Sequence, residues 1–101
     1  MPREPILVRV DQALAAVVPE YVEITKRELA AACEALAAGD VRPMRTLGHN
    51  LKGSGASFGM EALTRLGATI EACATVLAVD ELREHAETLR DYLDRVAVVD
   101  G

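Results

Sequence analysis

Apolar residues recur along most of this chain every three to four positions, the spacing of one face of an α-helix. Val22, Leu29, Cys33 and Leu36 form the first such stripe. It predicts a long helix over 19–38, with Pro19 in the first turn, where its missing N–H costs nothing. Gly39 then reads as the stop and Asp40 as the next N-cap. A second stripe, Met44, Leu47, Leu51 and Phe58, predicts a helix starting at Val41, with Pro43 tolerated in its first turn. After a break at Gly59 come Leu63, Leu66, Ile70, Cys73 and Leu77. The last stripe is Leu82, Leu89, Leu93 and Val96, with Asp80 as its cap.

Two short segments follow a different rule. Ile6, Leu7, Val8, Arg9 and Val10 form a β-branched run near the start, and Val96, Ala97, Val98 and Val99 form another near the end. Each is too short to be a domain. They either pair as strands or cover one end of the helices. Between the first run and Pro19, a short helix is expected over 11–18. Four main amphipathic helices with short connections imply an all-α fold, an antiparallel four-helix bundle with a short extra N-terminal helix and extended termini. The expected layout is a single domain over 1–101, with a cap segment at 1–18, the bundle at 19–96 and a tail at 97–101.

Composition agrees with this picture and narrows it. The 101 residues are half apolar and 27% charged, an ordinary balance for one folded domain. With a single Phe, two Tyr and no Trp, the core must be built from aliphatic side chains. The net charge of −5, from 16 acids and 11 bases, argues against non-specific nucleic-acid binding. Cys33 and Cys73 fall in apolar stripes and read as small hydrophobes rather than a disulfide pair. No signal peptide or membrane-length apolar run is visible, so the expected compartment is the cytoplasm and no membrane partner is expected. The chain begins on Met1 and is expected to act as a stand-alone monomer.

One stretch breaks the helical rules. Residues 44–59 carry Gly48, Gly53 and Gly55 within a helical stripe, although a helix-interior Gly costs about 1 kcal/mol relative to Ala. Local rules fail most often where function or close packing demands it. At about 100° per residue, Met44, Leu47, Leu51 and Phe58 all lie within about 40° of the side opposite His49, so His49 faces solvent. Gly53, at i+4, lies beside it, and Ala56 is one further turn along, so the approach to the imidazole is clear of side chains. Gly48 and Gly55 align elsewhere, where they suit close approach of a neighbouring helix.

Arg42, Arg45 and Lys52 lie within about 60° of His49 on the same projection. From Val41 to Met60 there are three bases and no acid. A solvated basic face is the plain alternative, but a glycine-cleared His at its centre favours a site for an anion or an acidic partner. Metal binding is disfavoured, because His85 lies on another helix and zinc spacing is absent. A serine hydrolase lacks its Gly-x-Ser-x-Gly elbow, and Ser54 falls on the core side of the helix. A phosphate-binding loop needs Gly-Lys-Ser/Thr after a strand, whereas Lys52-Gly53-Ser54 sits in a helix. What remains is nucleophilic chemistry on a neutral imidazole, with basic neighbours disfavouring His⁺ and Lys52 stabilising the oxygens of a transferred phosphoryl group. No nucleotide-binding apparatus accompanies it, so the donor must be a partner.

At these residues the sequence resembles the histidine-containing phosphotransfer (HPt) domains of two-component phosphorelays. The resemblance rests on His49-Asn50-Leu51-Lys52-Gly53-Ser54-Gly55-Ala56-Ser57-Phe58-Gly59, and on Leu63 and Ile70-Glu71 in the next helix. It implies a signal-transduction phosphoprotein that is a phosphocarrier and not an enzyme. Its His49 Nε2 would accept a phosphoryl group from a receiver-domain aspartyl phosphate, or from a histidine kinase or hybrid kinase, and pass it to a response regulator. It also implies Lys52 as phosphoryl stabiliser, Gly53 as clearance for the partner, no cofactor of its own, and Mg²⁺ only in the partner receiver domain. Where some members carry Gln to bond the other imidazole nitrogen, this chain has Glu71, at the edge of its helix's stripe. Glu71 could thereby orient His49 through Nδ1–H and favour His⁺, opposing the basic patch, the alternative being a surface carboxylate paired with a nearby base. Arg42, Arg45, Gly53 and Ala56 are the expected partner-binding residues. The competing reading is a helical adaptor that docks an acidic partner through the same face without phosphotransfer.

Overall fold

The computed structural model describes residues 4–100. Residues 1–3 of the expected cap segment and Gly101 of the expected tail lie outside them. The order is β1 (Ile6–Val10), α1 (Gln12–Ala15), α2 (Val18–Ala37), α3 (Arg42–Ser54), a 3-10 turn (Ala56–Phe58), α4 (Glu61–Thr75), α5 (Val79–Arg95) and β2 (Val96–Asp100). The four long helices close a ring, α2 packing on α3 and α5, and α4 on the same two. The architecture is an all-α bundle. Neighbours run antiparallel: Gly48 of α3 lies against Gly67 and Glu71 of α4, whereas Gly55 lies against Leu63 and Thr64.

The apolar stripes explain the packing. Val22, Leu29 and Leu36 of α2, Met44, Leu47 and Leu51 of α3, Leu63 and Ile70 of α4, and Leu82, Leu89 and Leu93 of α5 are all buried in one core. At about 1.5–3 kcal/mol for each large aliphatic side chain buried, this core is the main favourable contribution to the fold. Cys33 and Cys73 are half-buried at its margin, and both are free thiols.

Three expectations along α3, α4 and α5 change. Helix α3 stops at Ser54 rather than running to Phe58. The Ala56 N–H bonds to Thr64 Oγ1 at 2.8 Å, and Gly55 O receives the N–H groups of Phe58 and Met60. Phe58 therefore leaves the α3 stripe and stacks on Tyr21, with ring centroids 4.3 Å apart. Gly59, at φ +79°, completes the reversal, and a Cβ there would meet Val10. Leu77 is not inward either. It is 66% exposed in a left-handed turn (φ 59°) after α4 ends at Thr75. Ala78 N bonds back to Cys73 O and Leu77 N to Ala74 O, closing the carbonyl end of the helix in the manner of a Schellman turn. Asp80 does not cap α5, whose preceding residue is Ala78. It lies exposed in the first turn, where its charge suits the helix dipole.

The start of α3 follows a related pattern. Gly39 adopts φ +89° to end α2. Asp40 Oδ1 accepts the Arg42 N–H at 3.0 Å, although Val41 occupies the formal cap position. Asp11 caps α1, accepting the Ala13 N–H at 3.1 Å, and α1 ends at Ala15 rather than near Val18, which instead opens α2.

The two β-branched runs pair with each other in parallel, Ile6 opposite Val96 through Val10 opposite Asp100. Val8 and Val10 are buried while Leu7 and Arg9 point outward, so the period of two holds in β1. Of the two readings of these runs, strand pairing is the one found, and β2 begins at Val96, directly after α5. Arg95 secures the junction, donating to Glu4 O and to Asp91 Oδ2, each at 2.8 Å.

Candidate functional site

His49 lies in the middle of α3, one residue after the buried Gly48, and its side chain is 67% exposed. The burial of Met44, Leu47 and Leu51 turns the opposite face outward and carries His49 with it. Its Nδ1 is 2.8 Å from Glu71 Oε2 on α4. The other oxygen, Oε1, accepts from Lys52 Nζ at 3.0 Å. One carboxylate thus spans two side chains of the neighbouring helix. Glu71 is 23% exposed, and its carboxyl is held below the usual range, first by the Lys52 hydrogen bond and then by that of His49. An ionised carboxylate has only acceptors, so Nδ1 must carry the hydrogen. In the neutral ring that leaves the lone pair on Nε2, which has no hydrogen-bond partner among the described residues.

The other expected site residues are placed less uniformly. Gly53 is open, with nothing within 4 Å of where a Cβ would stand. Ala56 is exposed, but opens the 3-10 turn rather than continuing α3. Arg45 is exposed on α3 and makes no ion pair among the described residues. Arg42 is engaged: its Nε and Nη2 donate to Asp40 Oδ1 and Oδ2 at 2.9 and 3.0 Å. Those bonds hold the Asp40 carboxyl at about 2 and largely neutralise Arg42 locally. The basic collar is therefore weaker than the run from Val41 to Met60 implies. Its acid partners, Asp40 and Glu71, both lie outside that run.

Three arrangements around the site escape sequence reading. Ser54 sits at the α2–α3 boundary, half-buried, where its hydroxyl donates to Asn50 O at 2.8 Å and lies 2.7 Å from Tyr21 Oη. Thr64 caps the exit of α3 through Ala56. Gly67 is buried at the crossing of α3 and α4, facing Gly48. Nothing in the sequence pairs Ser54 with Tyr21, Ala56 with Thr64 or Gly48 with Gly67 except the apolar register of the helices that carry them.

Among the described residues no group of three or more His, Cys, Asp or Glu stands ready to hold a metal ion. Among the same described residues, no helix is long and apolar enough to cross a membrane. His49 and its partners form an exposed, oriented imidazole on a bundle face, with a cation and an anion beside it. The Hpt domain family model matches residues 10–98, which contain the whole site and nearly all of the described fold.

The chain belongs to the Hpt domain family. Hpt domains work in histidine phosphotransfer within phosphorelays, as phosphocarrier modules rather than classical enzymes. They interact with kinases and response regulators of two-component systems. Comparison with curated proteins and with solved structures gave no match.

Proposed function

We propose that this Hpt domain is a phosphorelay intermediate that carries the phosphoryl group on His49 Nε2. It receives the group from an aspartyl phosphate of a receiver domain, or from a histidine kinase, and passes it to a response regulator. The observation that carries this reading is the 2.8 Å bond between Nδ1 and Glu71, which leaves Nε2 of an exposed ring free to attack.

In the transfer, the Nε2 lone pair attacks phosphorus and forms the N–P bond. The bond from phosphorus to the aspartyl oxygen breaks, and its electron pair returns to the partner's carboxylate. The imidazole gains positive character as this happens. Glu71, already paired with Nδ1–H, stabilises that charge where it develops. Lys52 Nζ spends one hydrogen on Glu71, and its two others are available for phosphoryl oxygens. Gly53 leaves room for the partner's surface. The reverse transfer uses the same contacts. The domain supplies no cofactor, the Mg²⁺ of the reaction being held by the receiver. Acting as a monomer in the cytoplasm, it would present this one face to each partner in turn.

The test is incubation with a phosphorylated receiver domain. Acid-labile, base-stable label is expected on the wild-type chain and absent from His49→Gln. Label persisting on His49→Gln would refute the assignment. Lys52→Ala should slow transfer while circular dichroism stays unchanged, and an unchanged rate would remove Lys52 from the chemistry.

A further inference from the structure

We propose that Gly67 is a positioning residue for the His49 site: its contact with Gly48 sets the α3–α4 separation at which the Glu71 carboxylate spans both His49 and Lys52. The proposal rests on the reading of His49 as phosphoacceptor, and concerns how its surroundings are held.

The two glycines form a reciprocal contact. A Cβ on Gly67 would lie 2.6 Å from both Gly48 O and Lys52 N, and 2.8 Å from Leu51 Cβ. A Cβ on Gly48 would lie 2.7 Å from Glu71 N and 2.8 Å from Gly67 O. Most of these neighbours are backbone atoms, which cannot rotate aside. Helix separation depends on the side chains at the contact, and here both helices present none. Besides the carbonyl oxygens of the two glycines, the backbone atoms that bound the space are the nitrogens of Lys52 and Glu71, two of the three site residues.

Helical spacing links the contact to the site. Glu71 follows Gly67 by four residues, so it emerges on the same side of α4, one turn on. On α3, His49 is the residue after Gly48, and Lys52 is four residues beyond Gly48. Bringing Gly48 and Gly67 together therefore sets Glu71 between the other two. Its contacts of 2.8 Å to Nδ1 and 3.0 Å to Nζ leave little slack. Accommodating a methyl group at Gly67 would require about 0.8 Å of separation to restore ordinary van der Waals contact. Turning Glu71 toward one partner would offset that movement only by losing the other.

The contact differs from the other tight glycine of this helix pair. Gly55 packs on Thr64, Leu63 and Met60 at the far end of α4, away from Glu71. Gly67 alone on α4 couples the crossing to the His49 triad.

The experiment follows the Glu71 carboxyl by ¹³C NMR titration in the unphosphorylated protein, together with the rate of transfer from a phosphorylated receiver. In Gly67→Ala the carboxyl should titrate at a higher pH than in wild type, because a contact with Lys52 or His49 is lost. Transfer should slow by up to about 100-fold, the scale expected for a misplacement near 1 Å. Leu89→Val, a buried change on α5, controls for general loosening and should leave the Glu71 titration where it is. An unmoved titration in Gly67→Ala, or an equal shift in Leu89→Val, overturns the proposal. Should Gly67→Ala fail to fold, Gly48→Ala decides, since it places a methyl group in the same crossing from the α3 side. The Glu71 carboxyl is then expected to titrate at a higher pH than in wild type and transfer to slow. An unmoved titration with transfer at the wild-type rate overturns the proposal. The titrations need no phosphoryl group, so label on His49→Gln would remove the phosphoacceptor reading without deciding this one.

Discussion

Replacing Gly53 with Ala is expected to stabilise the fold and, at the same time, impede phosphotransfer. Gly53 is helical, in the last turn of α3, and a Cβ there meets nothing within 4 Å. The substitution removes backbone freedom from the unfolded chain without a clash in the folded one. Glycine in a helix costs roughly 0.5–1 kcal/mol relative to Ala. Its place near the helix end puts the gain at about 0.5 kcal/mol, the low end of that range. For a domain of this size that raises Tm by about 2–4 °C. Gly48→Ala has the same propensity advantage and the opposite expected outcome. Its Cβ would lie 2.7 Å from Glu71 N and 2.8 Å from Gly67 O, and overpacking of this kind costs about 1–3 kcal/mol. Thermal denaturation by circular dichroism reads both variants, and transfer from a phosphorylated receiver reads the approach to His49. Transfer should fall modestly in Gly53→Ala and strongly in Gly53→Leu. A lower Tm for Gly53→Ala, or wild-type transfer by Gly53→Leu, would refute the view that this glycine serves clearance rather than packing.

Two further expectations concern the edges of the site. Asp40→Asn should destabilise the domain at neutral pH, because Asp40 bonds the Arg42 side chain and N–H. Its carboxyl is lowered from 3.8 to about 2 in the folded state, so its contribution is present above about 3.8 and is lost as pH falls through about 2. Urea denaturation should show a constant gap between wild type and Asp40→Asn from pH 7 to about 4 that closes by about pH 2, and a gap independent of pH would contradict this. Tyr21→Phe and Ser54→Ala should each cost about 0.5–1.5 kcal/mol through loss of their mutual hydrogen bond. A double-mutant cycle in urea checks it: fully additive effects would mean that the bond contributes nothing.

The stripes of Leu, Ile, Val and Met were enough to define four helices and the inward face of each, because burial in a bundle follows the 3.6-residue period directly. The same projection put His49 outward and Gly53 beside it, since both follow from position on one helix. Where this reasoning missed, a residue's partner lay elsewhere in the chain. Phe58 continues the α3 period in sequence, but Thr64 takes the Ala56 N–H and the helix ends early. Leu77 fits the α4 period, but the chain has already turned through a left-handed residue. Arg42 counts as a free base within its own segment, yet Asp40, just before that segment, engages it.

By itself, the sequence determined which helices form, which faces they bury, and that one exposed imidazole would stand in a glycine-cleared setting. It also carried the pattern that places the chain among Hpt domains. Only the tertiary structure decided what surrounds that imidazole. The Nδ1–Glu71 bond, the second bond from Glu71 to Lys52 and the Gly48–Gly67 crossing all join α3 to α4. The parallel pairing of β1 with β2 joins the two ends of the chain. Periodicity is a property of one segment and is written in that segment, whereas a distance between two segments is set by the atoms where they touch.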